Sequence, residues 1–124
     1  MHATRPPESE SLVIRWRRKF ACALRGLSVG VRGNNSFYVH LVAAGIVVAV
    51  AAWLNVSSVE WWVLLLCISM VLTAELFNSS IELIARSITT DEHPQIRDAL
   101  DVASSAVLVA SVGAAVVGLR VLFF

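Results

Sequence analysis

Glu75, Asn78 and Glu82 stand at the end of a long apolar run, Trp61 to Ala74, within the stretch Ala74-Glu75-Leu76-Phe77-Asn78-Ser79-Ser80-Ile81-Glu82. At about 3.6 residues per helical turn, positions i, i+3 and i+7 fall on one face, so two carboxylates and an amide share a stripe. An isolated carboxylate in hydrocarbon costs several kcal/mol unless it is neutralised or paired. Such a stripe marks a functional site that faces a bundle interior or a water-filled cleft. A packing alternative pairs Glu82 with Arg86 at i+4 and uses Asn78 to join two helices. That alternative leaves Glu75 without a partner, which favours chemistry over packing.

A desolvated carboxylate such as Glu75 suits a general base. Glu82 and Asp101 lie nearer the aqueous edge, where carboxylates are hard oxygen ligands that suit Mg²⁺ carried by a nucleotide phosphate. Asp91, Glu92 and His93 add polar groups in the turn between the two segments. A hydroxyl acceptor arriving from a bilayer and a nucleotide arriving from the cytoplasm would meet between these groups. That is a geometry for phosphoryl transfer, in which catalysis is mostly positioning and charge neutralisation. The sequence contains no Walker loop, no G-x-G-x-x-G and no Cys/His metal cluster.

The elements that must position these residues are helical and membrane-embedded. Of the 124 residues, 57% are hydrophobic and 15% charged, with a mean hydropathy of +0.74. That length holds one domain, and that balance belongs to a membrane protein. Residues 1–10, with Pro6 and Pro7, read as a disordered tail. Ser11 is a candidate cap for a helix over 11–27, in which Leu12, Trp16, Phe20, Ala23 and Leu27 form an apolar stripe flanked by Arg15, Arg18, Lys19 and Arg25. This basic amphipathic helix is expected to lie on a membrane surface against anionic head groups, and nothing in the chain supports a nucleic-acid role. Gly30, Gly33, Asn34, Asn35 and Ser36 are expected to break it.

Three spans follow, over 37–54, 61–88 and 95–122. The first is close to the shortest length that crosses a bilayer. Tyr38, His40 and Trp53 sit near its ends as interfacial residues do, and His40 reads as an interfacial hydrogen-bonding group rather than a ligand. The second is longer than about 20 residues, so its Glu82–Arg86 end should project beyond the hydrocarbon core. Pro94 fits an early position of the third helix, with Asp91 as its candidate N-cap. Ala106, Ala110, Ala114 and Gly118 recur every four residues, a spacing of small residues that allows close helix contact. The two cysteines, Cys22 and Cys67, read as small apolar residues rather than a disulfide. The first apolar run begins behind a basic segment, so no secretory leader is expected here. Basic residues cluster before the first span and at Arg86 and Arg97, and are absent from residues 55–60. The positive-inside rule puts the N-terminus and the second turn in the cytoplasm and the C-terminus outside.

The run A-E-L-F-N-S-S-I-E, then D-E-H-P, then L-D-V-A-S-S-A-V-L-V-A resembles the prokaryotic integral-membrane diacylglycerol kinase family, which includes undecaprenol kinases. R-R-K-F-A-C-A-L-R-G-L and S-F-Y-V-H-L, before and at the first span, are similar too. The resemblance implies an all-α homotrimer in a bacterial inner membrane. It implies three spans per chain, composite sites between neighbouring subunits, and transfer of the ATP γ-phosphate to a lipid hydroxyl. Diacylglycerol is the expected acceptor and undecaprenol the alternative. By position, Glu75 resembles the family's base and Glu82 its Mg²⁺ ligand. Arg15, Asn78, Asp91, Glu92, His93 and Asp101 match nucleotide-side positions. Trp53 and Ser104, with Glu75, fall on the lipid side. Two positions depart from the pattern. Leu100 stands where the family commonly has lysine, and Asn34 where it commonly has a glutamate that is a second metal ligand and lies beside the nucleotide. Two further classes remain open: a catalytically silent trimer, and a small proton-coupled transporter subunit with Glu75 as proton carrier.

Overall fold

The computed structural model describes residues 11–32, 34–88 and 90–124. The expected tail over 1–10, Gly33 of the expected helix break and Thr89 of the second turn lie outside them. The described residues form four helices and no strand: α1 (Leu12–Val31), α2 (Asn35–Trp53), α3 (Ser58–Ile88) and α4 (Pro94–Phe123). The last three are long and apolar enough to cross a membrane. The protein is therefore an all-α membrane protein with an N-terminal amphipathic helix, as its sequence pattern indicates.

Ser11 caps α1, its hydroxyl accepting from the Ile14 N–H at 3.4 Å. Arg17, Arg18 and Lys19 are exposed, and so are Leu12, Trp16, Phe20 and Leu24 on the apolar side. Lys19 Nζ lies 5.1 Å from the Trp16 ring centre, so the cation and the apolar face meet at the helix flank. The helix does not stop near Leu27 but continues through Gly30 to Val31. A lone glycine costs a helix only ~1 kcal/mol relative to alanine. Gly30 has a packing reason instead: a Cβ there would lie 2.7 Å from Leu76 Cδ2 on α3. The expected breaker is thus a close-approach point where α1 meets α3.

The helix starts are set by caps. Asn34 Oδ1 accepts from the Phe37 N–H at 3.2 Å and starts α2 at Asn35, ahead of the expected Phe37. Ser57 Oγ accepts from the Glu60 N–H at 3.2 Å and donates to Glu60 Oε1 at 2.9 Å. This Ser-x-x-Glu box starts α3 at Ser58 rather than Trp61. Asn55, with φ of 52°, makes the left-handed turn between α2 and α3. Pro94 opens α4 as expected, but the N-cap is His93, without a side-chain cap bond, and not Asp91. The 31 residues of α3 extend about 46 Å, more than the ~30 Å of a hydrocarbon core, so one end projects.

The most extensive packing is α4 along α3, and α2 and the end of α1 also lean on α3. The core is narrow: Phe37, Ala51, Leu64, Val71, Ala85, Ala103 and Val107. Large apolar side chains such as Ile46, Leu66, Val109 and Val116 point outward, as suits a surface solvated by lipid or by other helices. The small-residue row on α4 does not form one seam. Gly118 is buried, Ala110 and Ala114 half-buried, and Ala106 exposed, while Ala103 and Val107 take the tightest contacts. An i, i+4 row drifts by about 40° per step on a 3.6-residue helix, so its two ends face different neighbours. Ala103→Leu should therefore lower the thermal stability of the detergent-solubilised protein, since overpacking a tight site costs ~1–3 kcal/mol. Val109→Leu, on the outward face, should leave it unchanged. Equal melting temperatures for both variants would contradict this seam.

Candidate functional site

Two helices build the site. The head of α2 carries Asn34, Ser36 and His40, and the C-terminal half of α3 carries Glu75, Asn78, Ser79 and Glu82. Glu75 is the most buried polar residue among the described residues, 1% exposed. Ser36 Oγ donates to Glu75 Oε1 at 2.7 Å. His40 Nε2 lies 3.2 Å from the same oxygen, an ion-pair distance when the imidazole is protonated. Glu75 Oε2 is buried and has no hydrogen-bond partner. Burying a carboxylate is tolerable only with such partners, so α2 must sit against α3 for Glu75 to stay where it is. The sequence argument that Glu75 lacks a partner is corrected here: its partners come from α2. His40, expected at the interface, points to the buried carboxylate.

Above Glu75 the polar stripe continues. Asn78 Nδ2 donates to Glu82 Oε1 at 3.0 Å, while Asn78 Oδ1 is buried without a partner. Arg86 Nη2 donates to Glu82 Oε2 at 3.3 Å. The Glu82–Arg86 pair of the packing alternative therefore exists, alongside the buried carboxylate that alternative left unexplained. Asn34 is fully engaged: its Nδ2 donates to Ser79 Oγ at 2.6 Å, and its Oδ1 is the α2 cap. Ser79 belongs to the site; it is not among the site residues expected from sequence, and Ser36 is expected there only as part of the helix break. The signal was present, because Ser36 and His40 are spaced i, i+4 at the head of α2, and Ser79 is one turn from Glu75.

A cleft of about 410 Å³ opens where α3 ends and α4 begins. Glu82, Asp91, Glu92 and His93 line it together with Arg86, Arg97 and Leu100. Two guanidinium groups thus stand in the same cleft as Leu100. Among the described residues no cluster of three or more His, Cys, Asp or Glu forms a protein cage for a metal. A carboxylate at a cleft, as Glu82 is, fits a cation already held by phosphate oxygens, which needs only one or two protein carboxylates. The remaining expected residues are not gathered here. The side chains of Arg15, Trp53, Asp101 and Ser104 are exposed and make no hydrogen bond or ion pair to Glu75, Asn78 or Glu82. Trp53 is 81% exposed at the far end of α2.

Two apolar spaces flank α3. One, of about 410 Å³, lies between α2, α3 and α4, with His40 and Ser111 among its walls. The other, of about 640 Å³, is a groove between α3 and α4 walled by Thr73, Ala74, Asn78, Ala103, Ala106 and Ala110.

Fold and site together define a small polytopic membrane protein with a buried, donor-held carboxylate below an acidic, arginine-bearing cleft. Residues 21–122 match the family described as prokaryotic diacylglycerol kinase. The chain is 32% identical over 107 residues to the undecaprenol kinase of Bacillus subtilis (strain 168), covering 86% of this chain and 87% of that protein. The chain belongs to the prokaryotic diacylglycerol kinase family, a family of membrane lipid kinases.

The role of Asn34 in holding α2 to α3 is open to test. Asn34→Ala removes both the cap and the bond to Ser79, and loss of a cap alone costs ~1 kcal/mol. It should lower the melting temperature, and Asn34→Asp, which keeps the cap acceptor, should recover most of the loss. An unchanged melting temperature for Asn34→Ala would show that the α2 head is held by other contacts.

Proposed function

We propose that this chain transfers the γ-phosphate of ATP to the hydroxyl of a membrane lipid, with Glu75 as general base. The observation that carries this reading is the Glu75 carboxylate, which is buried, is held through one oxygen, and has its second oxygen unpartnered. A buried acceptor without a donor is costly in a resting protein, and an incoming lipid hydroxyl is the donor that fits it. As the hydroxyl oxygen forms its bond to the γ-phosphorus, its proton passes to Glu75. The bond between the γ-phosphorus and the bridging oxygen breaks, and ADP leaves with that oxygen. Glu82 is the residue that would hold Mg²⁺ carried by ATP; Asn34, whose Oδ1 already caps α2, would add an oxygen donor only through the second lone pair of that atom. The cation supplies charge neutralisation on the phosphates. Asn78 keeps Glu82 oriented. Arg86 and Arg97 bring positive charge to the cleft that Leu100 does not. Asp91, Glu92 and His93 shape the nucleotide side. Arg15, Asp101, Ser104 and Trp53 remain candidate nucleotide and lipid contacts, reached from neighbouring copies of a homotrimer.

The identity with the Bacillus subtilis undecaprenol kinase favours undecaprenol as acceptor. Diacylglycerol, the acceptor expected from the sequence, is the second reading and is supported by the family description. The test uses purified protein in vesicles with labelled ATP and both lipids. Glu75→Gln cannot accept a proton and should lower kcat ~10²–10⁴-fold while MgATP still binds. Glu82→Gln should instead raise the KM for MgATP and the Mg²⁺ requirement, because it removes a charged ligand from a hard cation. Near-parental kcat in Glu75→Gln would defeat the base assignment. Phosphorylation of diacylglycerol in preference to undecaprenol would reverse the choice of acceptor.

We also place the cleft on the cytoplasmic side of a bacterial inner membrane, supported by the basic residues of α1 and the Arg86–Arg97 turn. Cysteines introduced at Ser57 and Thr90 should label from opposite faces of sealed vesicles, and native mass measurement should give three copies. Labelling of both from one face would overturn the orientation, and a monomer would overturn the trimer.

A further inference from the structure

We propose that Ser36 and His40 are positioning residues that fix the Glu75 carboxylate by Oε1 and so leave Oε2 for the acceptor. The proposal rests on the reading of Glu75 as base and goes beyond it, because it assigns the two oxygens different roles and brings α2 into the reaction. Ser36 and His40 are one turn apart and converge on a single atom, with Ser36 Oγ at 2.7 Å and His40 Nε2 at 3.2 Å from Oε1. Nothing comparable reaches Oε2, although it is equally buried. A carboxylate held for packing alone gains by satisfying both oxygens, since each buried acceptor left without a donor carries its own desolvation cost. Here two groups crowd one oxygen and none takes the other.

The asymmetry has a chemical consequence. With Oε1 anchored at two points, rotation about the last side-chain bond is restrained and the free lone pairs of Oε2 keep one direction. A base held in a fixed orientation gives up less freedom when the acceptor arrives. The imidazole Nε2 must carry a proton to attract Oε1, which both the imidazolium and the Nε2–H tautomer provide. His40 also walls the apolar space between α2, α3 and α4. The imidazole therefore separates Glu75 from an apolar volume while engaging it, and a truncation would enlarge that space. Shape-preserving substitutions are needed to isolate the polar effect.

The experiment uses the full chain in vesicles and four variants. Ser36→Ala and His40→Phe remove the donor and keep the approximate shape, while Ser36→Thr and His40→Gln retain a donor. The first two should lower kcat on the order of tenfold or more, as misplacement of a reacting group does. The KM for MgATP should not move, since neither residue lines the Glu82 cleft. The two donor-retaining variants should recover most of kcat. A second readout needs no turnover: the infrared carboxyl band obtained as parent minus Glu75→Gln should shift in Ser36→Ala and His40→Phe and stay close to parental in Ser36→Thr. Parental kcat in the donor-free variants, beside an inactive Glu75→Gln, would overturn the positioning role alone. Equal losses in donor-free and donor-retaining variants, or an unmoved band, would reduce both residues to packing. Retained rate in Glu75→Gln would remove the base assignment, and the positioning role with it, even if the band shifts are seen.

Discussion

The contact between the head of α2 and Glu75 is the constraint on which the rest of the bundle depends. A carboxylate that is 1% exposed among apolar helices is viable only while partners stay within reach. Those partners, Ser36 and His40, belong to another helix, so the buried charge fixes how α2 sits on α3. Asn34 adds a second polar tie one turn away, to Ser79. Apolar packing alone would not set this register in a membrane, because lipid tails solvate leucine as well as a neighbouring helix does. Polar ties at the head of α2 and close small-residue packing of α4 along α3 do what a large hydrophobic core does in water. The narrow core and the outward-facing Ile46, Leu66, Val109 and Val116 follow from that division.

The site divides along one helix. Glu75 lies deep and Glu82 lies seven positions further on, about 10 Å along the axis at 1.5 Å per residue. The deep end is dry and donor-held, and the far end meets a cleft with two arginines and an acidic turn. Asn78 sits between them and is bonded to Glu82. In the proposed reaction a lipid hydroxyl and a nucleotide come from different phases, which calls for receiving groups at different depths. A single helix braced by α4 sets that spacing without loops, and helix-borne groups are held more closely than loop-borne ones.

The three spans, the amphipathic first helix and the Glu75–Asn78–Glu82 stripe were legible in the sequence because each depends on local periodicity and composition. The starts of α2 and α3 were less so. They are set by Asn34 and by the Ser57–Glu60 box, signals outweighed by the apolar runs beside them. Gly30 was misread as a stop because a glycine's reason, here the Leu76 side chain, lies on another helix. The partners of Glu75 were missed on the same ground: no pattern within α3 reveals what α2 presents. Arg15, Trp53 and Ser104 entered through family resemblance, and they and Asp101 are exposed within one chain. Local rules locate elements and stripes, and register between helices decides which stripes meet.

Asn34, where the family resemblance implies a glutamate, is held in the fold by neutral bonds. A glutamate at the cap of α2 would offer a charged oxygen to a cation, but its longer side chain is a poorer helix cap than asparagine. Asparagine gives up the charge and gains two neutral bonds, one to the Phe37 N–H and one to Ser79. Its Oδ1 then starts α2 and its Nδ2 ties that start to α3, beside the contact that keeps Glu75 buried. Leu100 follows the same logic at the cleft. Leu100 is apolar where the resemblance implies a lysine, while Arg86 and Arg97 bring positive charge to the same cleft. In this chain the deep carboxylate and its α2 partners form a well-tied unit. The positive charge of the cleft is placed on longer, more exposed side chains, which lose less by staying in water.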